Sequence, residues 1–372
     1  MKNCPSSVLA AGIIAAMSLP SVAGAANRTP NGTCTPPGSW SLATDFPTTV
    51  VRSLGMFFPA NGQFYVLGGR ETDTAGSDFQ TVTAYDPTAD AWSATALTFP
   101  DNQVNNMVGG VLDVGGTPSI VVVGGSAAGA TTASAAVNVI DPVAGTVTTL
   151  ASDPWPGDAD TITLPGGAAV LDNKLYVFGG FQISTAMLNT IWQFDPDAAD
   201  GTRWTEMTAT LPQGLGYIPM AASGGFIYSF GGSIWDGTTI DDTDTSFLYS
   251  PSADEIQSVA TIPRVVAETR AVTETDGSIW VLGGGRTSPN PSNEVDVYDP
   301  TSDVWSLGPA MNAARRNFAA DVDPATGKIF ATGGYDVDGT TPLSVNEVFT
   351  PCTGPDDIIF ENGFDPSVRA NP

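Results

Sequence analysis

The chain has 372 residues, 39 acidic against 13 basic side chains, a formal net charge of −26 and no histidine. A polyelectrolyte this acidic is repelled by phosphate backbones and anionic lipid, which argues against nucleic-acid and membrane-surface roles. Without imidazole there are no Ser-His or Cys-His nucleophile pairs, and the commonest general base and commonest metal ligand are missing.

Residues 1–25 have the pattern of a secretory signal. Lys2 supplies the positive start, residues 8–19 the apolar stretch and Ala23-Gly24-Ala25 the small-residue cleavage site. An apolar run of about 12 residues is too short to span a bilayer. Cys4 precedes that run, unlike a lipoprotein acceptor. The expectation is a secreted or periplasmic protein with a lead-in at 26–37. Only Cys34 and Cys352 then remain, in a compartment that permits disulfides.

From 38 to 352 the sequence is a recurrence of six units, each anchored by an apolar strand ending in Gly-Gly. The anchors are FYVLGG at 64–69, IVVVGG at 120–125, LYVFGG at 175–180, IYSFGG at 227–232, IWVLGG at 279–284 and IFATGG at 329–334. The doublets lie 56, 55, 52, 52 and 50 residues apart. Upstream of each is a turn pair: Asn61-Gly62, Gly115-Gly116, Asp172-Asn173, Gly224-Gly225, Asp276-Gly277 and Thr326-Gly327. Such pairs predict two-residue hairpins, because Gly, Asn and Asp tolerate positive φ. Downstream a third strand closes on Tyr85-Asp86-Pro87, Ile140-Asp141-Pro142, Phe194-Asp195-Pro196, Tyr249-Ser250-Pro251, Tyr298-Asp299-Pro300 or Phe349-Thr350-Pro351. Proline lacks a donor and fixes φ, so it ends the strand. A fourth strand then opens on Trp92, Val147, Trp204, Ile256 or Trp305. Repeats of this length, built from short apolar strands, point to propeller blades.

The pattern resembles the kelch motif over 38–352, with blade 2 the weakest copy because Val121 and Val147 stand where aromatics are usual. The resemblance implies an all-β fold, a six-bladed β-propeller of four-stranded antiparallel kelch-type blades. The sixth copy has no Trp strand after it, whereas Trp40 stands before the first copy. The N-terminal strand at 39–43 is therefore expected to complete the last blade, as kelch propellers often close. That closure brings Cys34 and Cys352 to neighbouring strand ends and predicts a disulfide between them. The last stretch, 353–372, is polar and lies outside the repeat; it is expected to be a flexible tail, and its DIIFENGF at 357–364 resembles a short tail of some exported Gram-negative proteins.

In this topology the longest loops, at 70–80, 126–135 and 233–244, share one face with the connections between blades, and binding usually resides on such loops. Arginine is scarce, yet Arg52, Arg70, Arg264, Arg286, Arg315 and Arg316 all map to that face on blades 1, 5 and 6. Facing them on blades 3 and 4 are Asp158, Asp160, Asp236, Asp241, Asp242 and Asp244. The arginine sector is a candidate site for a carboxylate or other anion held by bidentate contacts. The competing reading is structural, since Arg52, Arg264 and Arg316 lie near the position where kelch repeats commonly carry an acid-paired arginine.

No metal and no cofactor are expected. The copper-radical oxidases related to galactose oxidase share the kelch propeller, but their site needs histidine. The acids around Asp236-Gly237 do not have calcium-loop spacing and read as a solvated loop. Two functions remain: a monomeric platform binding a protein or carbohydrate through its long-loop face, or an enzyme on an anionic sugar. The second rests on the sialic acid mutarotases, which are exported kelch propellers of similar size. For it Glu268 is the acid-base candidate.

Overall fold

The computed structural model describes residues 38–285 and 291–352. The proposed signal, the tail, Cys34 and Arg286 therefore lie outside the described residues.

The described chain forms six four-stranded antiparallel sheets. Blade 1 comprises β2 (Leu54–Phe58), β3 (Gln63–Leu67), β4 (Thr81–Asp86) and β5 (Ala91–Thr98). Blade 2 follows with β6 (Val108–Val114), β7 (Thr117–Val123), β8 (Val137–Asp141) and β9 (Thr146–Thr149). Blade 3 has β10 (Thr163–Leu171), β11 (Lys174–Gln182), β12 (Ala186–Phe194) and β13 (Trp204–Glu206). In blade 4, β14 (Met220–Ser223) and β15 (Phe226–Phe230) are followed by a separate hairpin, β16 (Ser233–Trp235) with β17 (Ile240–Asp242); β18 (Ser246–Ser250) and β19 (Glu255–Ser258) complete the sheet. Blade 5 is β20 (Arg270–Thr273), β21 (Ile279–Gly284), β22 (Ser292–Asp299) and β23 (Val304–Leu307). Blade 6 takes β24 (Ala319–Val322), β25 (Ile329–Thr332) and β26 (Asn346–Pro351) from the C-terminal side and β1 (Gly38–Leu42) from the N-terminal side. The closing register runs from Gly38 opposite Pro351 to Leu42 opposite Glu347, as the unpaired Trp40 predicted.

The turn chemistry divides the blades. In blades 2, 3 and 4 the turn pair is the whole loop, and all six residues have positive φ, from 51° at Asp172 to 86° at Gly116. Blades 1, 5 and 6 differ from the expectation: only Gly62, Gly277 and Gly327 have positive φ, and the loops are longer. Asn61 and Asp276 there turn their side chains onto the backbone, accepting from the N–H of Gln63 at 3.2 Å and of Ser278 at 2.9 Å.

The Gly-Gly doublets join blade to blade. The second glycine N–H donates to a carbonyl in the connection leading into the next blade: Gly69 to Val104, Gly180 to Leu215, Gly232 to Val266, Gly284 to Arg315 and Gly334 to Val50, at 2.7–2.9 Å. At Gly231 (φ 61°) a Cβ would lie 2.1 Å from the Val266 carbonyl oxygen, so no other residue fits so close an approach. Blades 3 and 5 depart from a strand that ends at the doublet. β11 and β21 run through it, with the register shifting at Phe178/Gly180 and Leu282/Gly284.

The fourth-strand tryptophans repeat one bond. Nε1–H of Trp92, Trp204, Trp305 and Trp40 donates to Thr44, Asp153, Ala260 and Pro309 carbonyls at 2.8–3.1 Å, each across to a neighbouring blade's connection. Trp40 thus does for the closing blade what Trp305 does for blade 5. Apolar clusters fill the wedges between blades, for example Phe57, Phe64, Tyr85 and Phe330 between blades 1 and 6. The Phe57 and Phe330 rings stack at 5.6 Å.

Candidate functional site

The innermost strands β2, β6, β10, β14, β20 and β24 enclose a central channel of about 410 Å³, within the usual range for small-ligand sites. Its waist is narrow because glycines let the strands converge. A Cβ on Gly110 would sit 2.2 Å from Val170 Cγ2, and one on Gly167 would sit 2.3 Å from the Ile218 oxygen.

One mouth is rimmed by a backbone collar. Each blade places a non-glycine residue in the left-handed region just before its innermost strand: Arg52, Asn106, Thr161, Tyr217, Glu268 and Asn317, with φ from 51° to 63°. Such conformations cost of order 1–3 kcal/mol each and gather at ligand sites. The collar is hydrogen-bonded end to end over much of the ring. Glu268 N–H donates to Tyr217, Asn317 to Glu268, Arg52 to Asn317 and Asn106 to Arg52, at 2.6–3.2 Å. Those five residues all line the channel; Thr161 does not.

The side chains above this collar form one polar network. Arg316 is ion-paired with Glu268, whose side chain is fully buried. Tyr335 lies between two guanidinium groups, with Arg316 5.0 Å and Arg52 5.7 Å from its ring centre. Its hydroxyl donates to Asp73, which also holds Arg70. Arg52 donates to Asn106 Oδ1 at 3.3 Å. Burial alone would lower the Arg52 pKa, but the charge of Glu268 leads the influences that raise it instead.

The six arginines named from the sequence therefore part company. Arg52 and Arg70 of blade 1 and Arg316 of blade 6 meet at the mouth. Arg264 and Arg315 are built into the blade walls in matching ways: Arg264 donates to Asp296 Oδ2 at 2.7 Å and the Gly283 oxygen at 2.6 Å. Arg315 donates to Glu347 Oε1 at 2.6 Å and the Gly333 oxygen at 3.0 Å. The structural arginine position is thus occupied by Arg264 and Arg315, whereas Arg52 and Arg316 face the channel mouth.

Sequence reasoning missed Arg270. It lies on the innermost strand of blade 5, lines the channel, and donates to Thr269 and Ser53 carbonyls at 3.0 and 2.9 Å. Burial pulls its pKa down to about 10. Asp321 lines the same channel; it accepts the Phe57 N–H at 2.8 Å, and burial pushes its pKa up to about 7. Neither residue belongs to a marked position of the repeat.

Next to Glu268 in the collar, Tyr217 brings an aromatic ring to the channel lining, and further aromatics pack outward from it. Phe181 lies 5.9 Å from Tyr217 and 6.1 Å from Trp235 on the hairpin β16–β17. The blade 4 acids do not converge. Asp236 accepts N–H and O–H from Thr238 and Thr239, which hold its carboxyl well below the usual range. On blade 3, Asp158 is buried and raised to about 6, foremost by desolvation. Asp160 accepts from Thr163 and Gln182. Among the described residues no group of three or more acid, histidine or cysteine side chains is placed to hold a metal ion.

The mouth thus combines guanidinium forks, a buried carboxylate and flat aromatic faces. It can hold a planar acid group while stacking the C–H face of a ring.

Comparison with known proteins agrees with this architecture. The kelch motif matches residues 269–312. Kelch-like protein 35 of Mus musculus is 28% identical over 184 residues, 50% of this chain and 29% of that protein. N-acetylneuraminate epimerase of Pasteurella multocida (strain Pm70) is 38% identical over 87 residues, 20% of this chain and 22% of that enzyme. The chain therefore spans less than a third of either relative's length. The solved structure of YjhT superposes with a TM-score of 0.63 at 15% identity, covering 82% of this chain and 96% of that one. With six doublet-anchored blades and a ring closed by its N-terminal strand, the chain is a six-bladed β-propeller, and the kelch motif at 269–312 and the kelch-like relative support a kelch-repeat family.

Proposed function

We propose that this protein is an exported binding propeller that takes an acid-bearing glycan at the mouth of its channel. Export rests on the signal pattern at 1–25 and on the acidic, histidine-free composition. One observation carries the ligand class: the channel mouth sets Arg52 and Glu268 beside the Tyr217 ring, with Arg316 paired to Glu268. Guanidinium groups select an acid, and aromatic faces select the ring that carries it. A kelch propeller fold supports a binding platform, since the same scaffold serves many functions through its loops.

The test is a panel of acidic and neutral saccharides titrated against the purified chain by calorimetry. Saturable binding of sugar acids but not of their neutral counterparts is the expected result; equal or absent binding of both overturns the reading.

A second reading is favoured by Glu268 and by the partial match to N-acetylneuraminate epimerase. A buried carboxylate at the rim, paired with Arg316, is placed to move a proton on a bound sugar. Proton NMR of N-acetylneuraminate with the enzyme in catalytic amounts separates the two: accelerated anomer exchange that Glu268→Gln abolishes supports catalysis, and unchanged exchange supports binding alone.

A further inference from the structure

The channel contains a positive charge, Arg270, that no described residue neutralises. At the rim, Arg70 is paired with Asp73 and Arg316 with Glu268. In the blade walls Arg264 and Arg315 are paired with Asp296 and Glu347. Arg203, far from the axis on blade 3, has Asp153 and Asp200. Arg270 differs from all of these. Among the described residues it has no ion-pair partner, and only two backbone carbonyls accept from it. Its Nε–H is buried without an acceptor.

A half-buried cation with no counter-charge beside it is costly, because the hydration it loses is not offset. A chain with 39 carboxylates against 13 basic residues has ample means to supply one. None of the described carboxylates does so, and desolvation lowers the Arg270 pKa. A second donor is left over in the same cavity: Asn317, which is 4% exposed and lines the channel, has an Nδ2 with no acceptor. Surplus donors in a cavity define what the missing group must be: an acceptor with negative charge.

We propose that the channel contains an oxyanion subsite centred on Arg270, which takes a carboxylate or phosphate group inserted below the rim. This deepens the proposed function, on whose reading the sugar-acid source of that group rests; the subsite itself does not depend on it. In that arrangement Arg70 and Arg316, already paired, orient the ligand body together with Arg52, and Arg270 receives its charge. A free small anion satisfies the same chemistry, so the two sources have to be separated by experiment.

Inorganic phosphate is titrated into the intact chain and into Arg270→Gln by calorimetry. Saturable binding that weakens at least about tenfold in the variant is expected, the scale of a lost charge-assisted hydrogen bond. Equal affinity in the two proteins, or no saturable phosphate binding to the wild type, overturns the subsite. Competition identifies the source. If N-acetylneuraminate displaces phosphate and its methyl ester does not, the sugar acid group occupies Arg270. If neither displaces it while Arg270→Gln still abolishes phosphate binding, the subsite stands and the glycan reading fails. Should Arg270→Gln not fold, bromide soaked into wild-type crystals decides: anomalous density beside the Arg270 guanidinium upholds the proposal, and its absence there refutes it.

Discussion

Arg315 and Arg316 are consecutive in the chain and belong to different regions. Arg315 is in the interior of blade 6, fully buried, with Glu347 fully buried beside it and three backbone carbonyls accepting from its Nη1. Arg316 emerges one residue later at the channel mouth, reaching Glu268 on blade 5 and the ring of Tyr335. The lesson is that charge and position in the repeat do not assign a role. The peptide unit between these two residues directs one guanidinium into the sheet packing and the other toward Glu268 and Tyr335 at the channel mouth. Glu347 also accepts the Asn312 N–H at 2.7 Å, so the Arg315 pair fixes the connection as well as the strand.

The largest expected effect breaks the wall side of this comparison. Arg315→Ala strands a buried carboxylate and is expected to cost about 3–5 kcal/mol in urea unfolding. Arg316→Gln removes one partner of the buried Glu268 but leaves Arg52 to oppose its charge, so it is expected to cost less, about 1–3 kcal/mol, while weakening ligand binding about tenfold or more. If Arg316→Gln destabilises the fold as much as Arg315→Ala, the rim is a structural cluster and the comparison collapses.

The next effect concerns how the ring is closed. We propose that Cys34 and Cys352 form a disulfide over the junction of β1 and β26. Cys352 directly follows Pro351, which pairs with Gly38. Reduction is then expected to lower stability by about 2–4 kcal/mol, the usual range for a disulfide and below the roughly 5 kcal/mol that the chain-entropy account gives for so long a loop. Thermal melts with and without reductant, together with the mass of the alkylated protein, check this. An unchanged melting temperature would leave closure to the five-residue β1–β26 ladder and to Trp40.

The scaffold was legible in the sequence because its markers are backbone requirements. Gly231 cannot be replaced without meeting the Val266 carbonyl, and Pro300 ends a strand wherever it falls, so these residues recur in phase. The mouth was legible only in part. Arg52, Arg70, Arg316 and Glu268 could be placed there by counting from the doublets, yet the wall arginines looked the same by that count. The collar left no trace, since Arg, Asn, Thr, Tyr, Glu and Asn have no common side-chain chemistry; what they share is φ. Arg270 was missed for a related reason. It occupies a strand position where other blades carry Leu54, Val108 or Ala319, and a charge in a lone copy makes no repeat.

The smallest effect sharpens the contrast between paired and unpaired carboxylates. Asp296, in the wall of blade 5, has Arg264 to oppose the upward pull of burial. Asp321 on the channel has backbone N–H donors from Phe57 and Val322 but no arginine, and burial raises it to about 7. Glu274, 8% exposed near the turn of blade 5, is also raised to about 7 by burial, and Asp158 to about 6. Each of these groups binds its proton more tightly when folded than when unfolded, where titration occurs near pH 4. Their contribution to stability is therefore complete below about pH 4 and is lost as pH rises through 6 to 7. The acids held low, such as Asp73, Asp90 and Asp153, act in the opposite sense and in a lower window, losing their contribution as pH falls below about 4. Between about pH 4.5 and 7.5 the melting temperature is accordingly expected to fall by several degrees, and Asp321→Asn to flatten part of that slope. A melting temperature that rises across the same interval would mean that these carboxyls are ionised and solvated in the folded state. The lone acids of the channel and blade edges would then be no different from the paired acids of the wall.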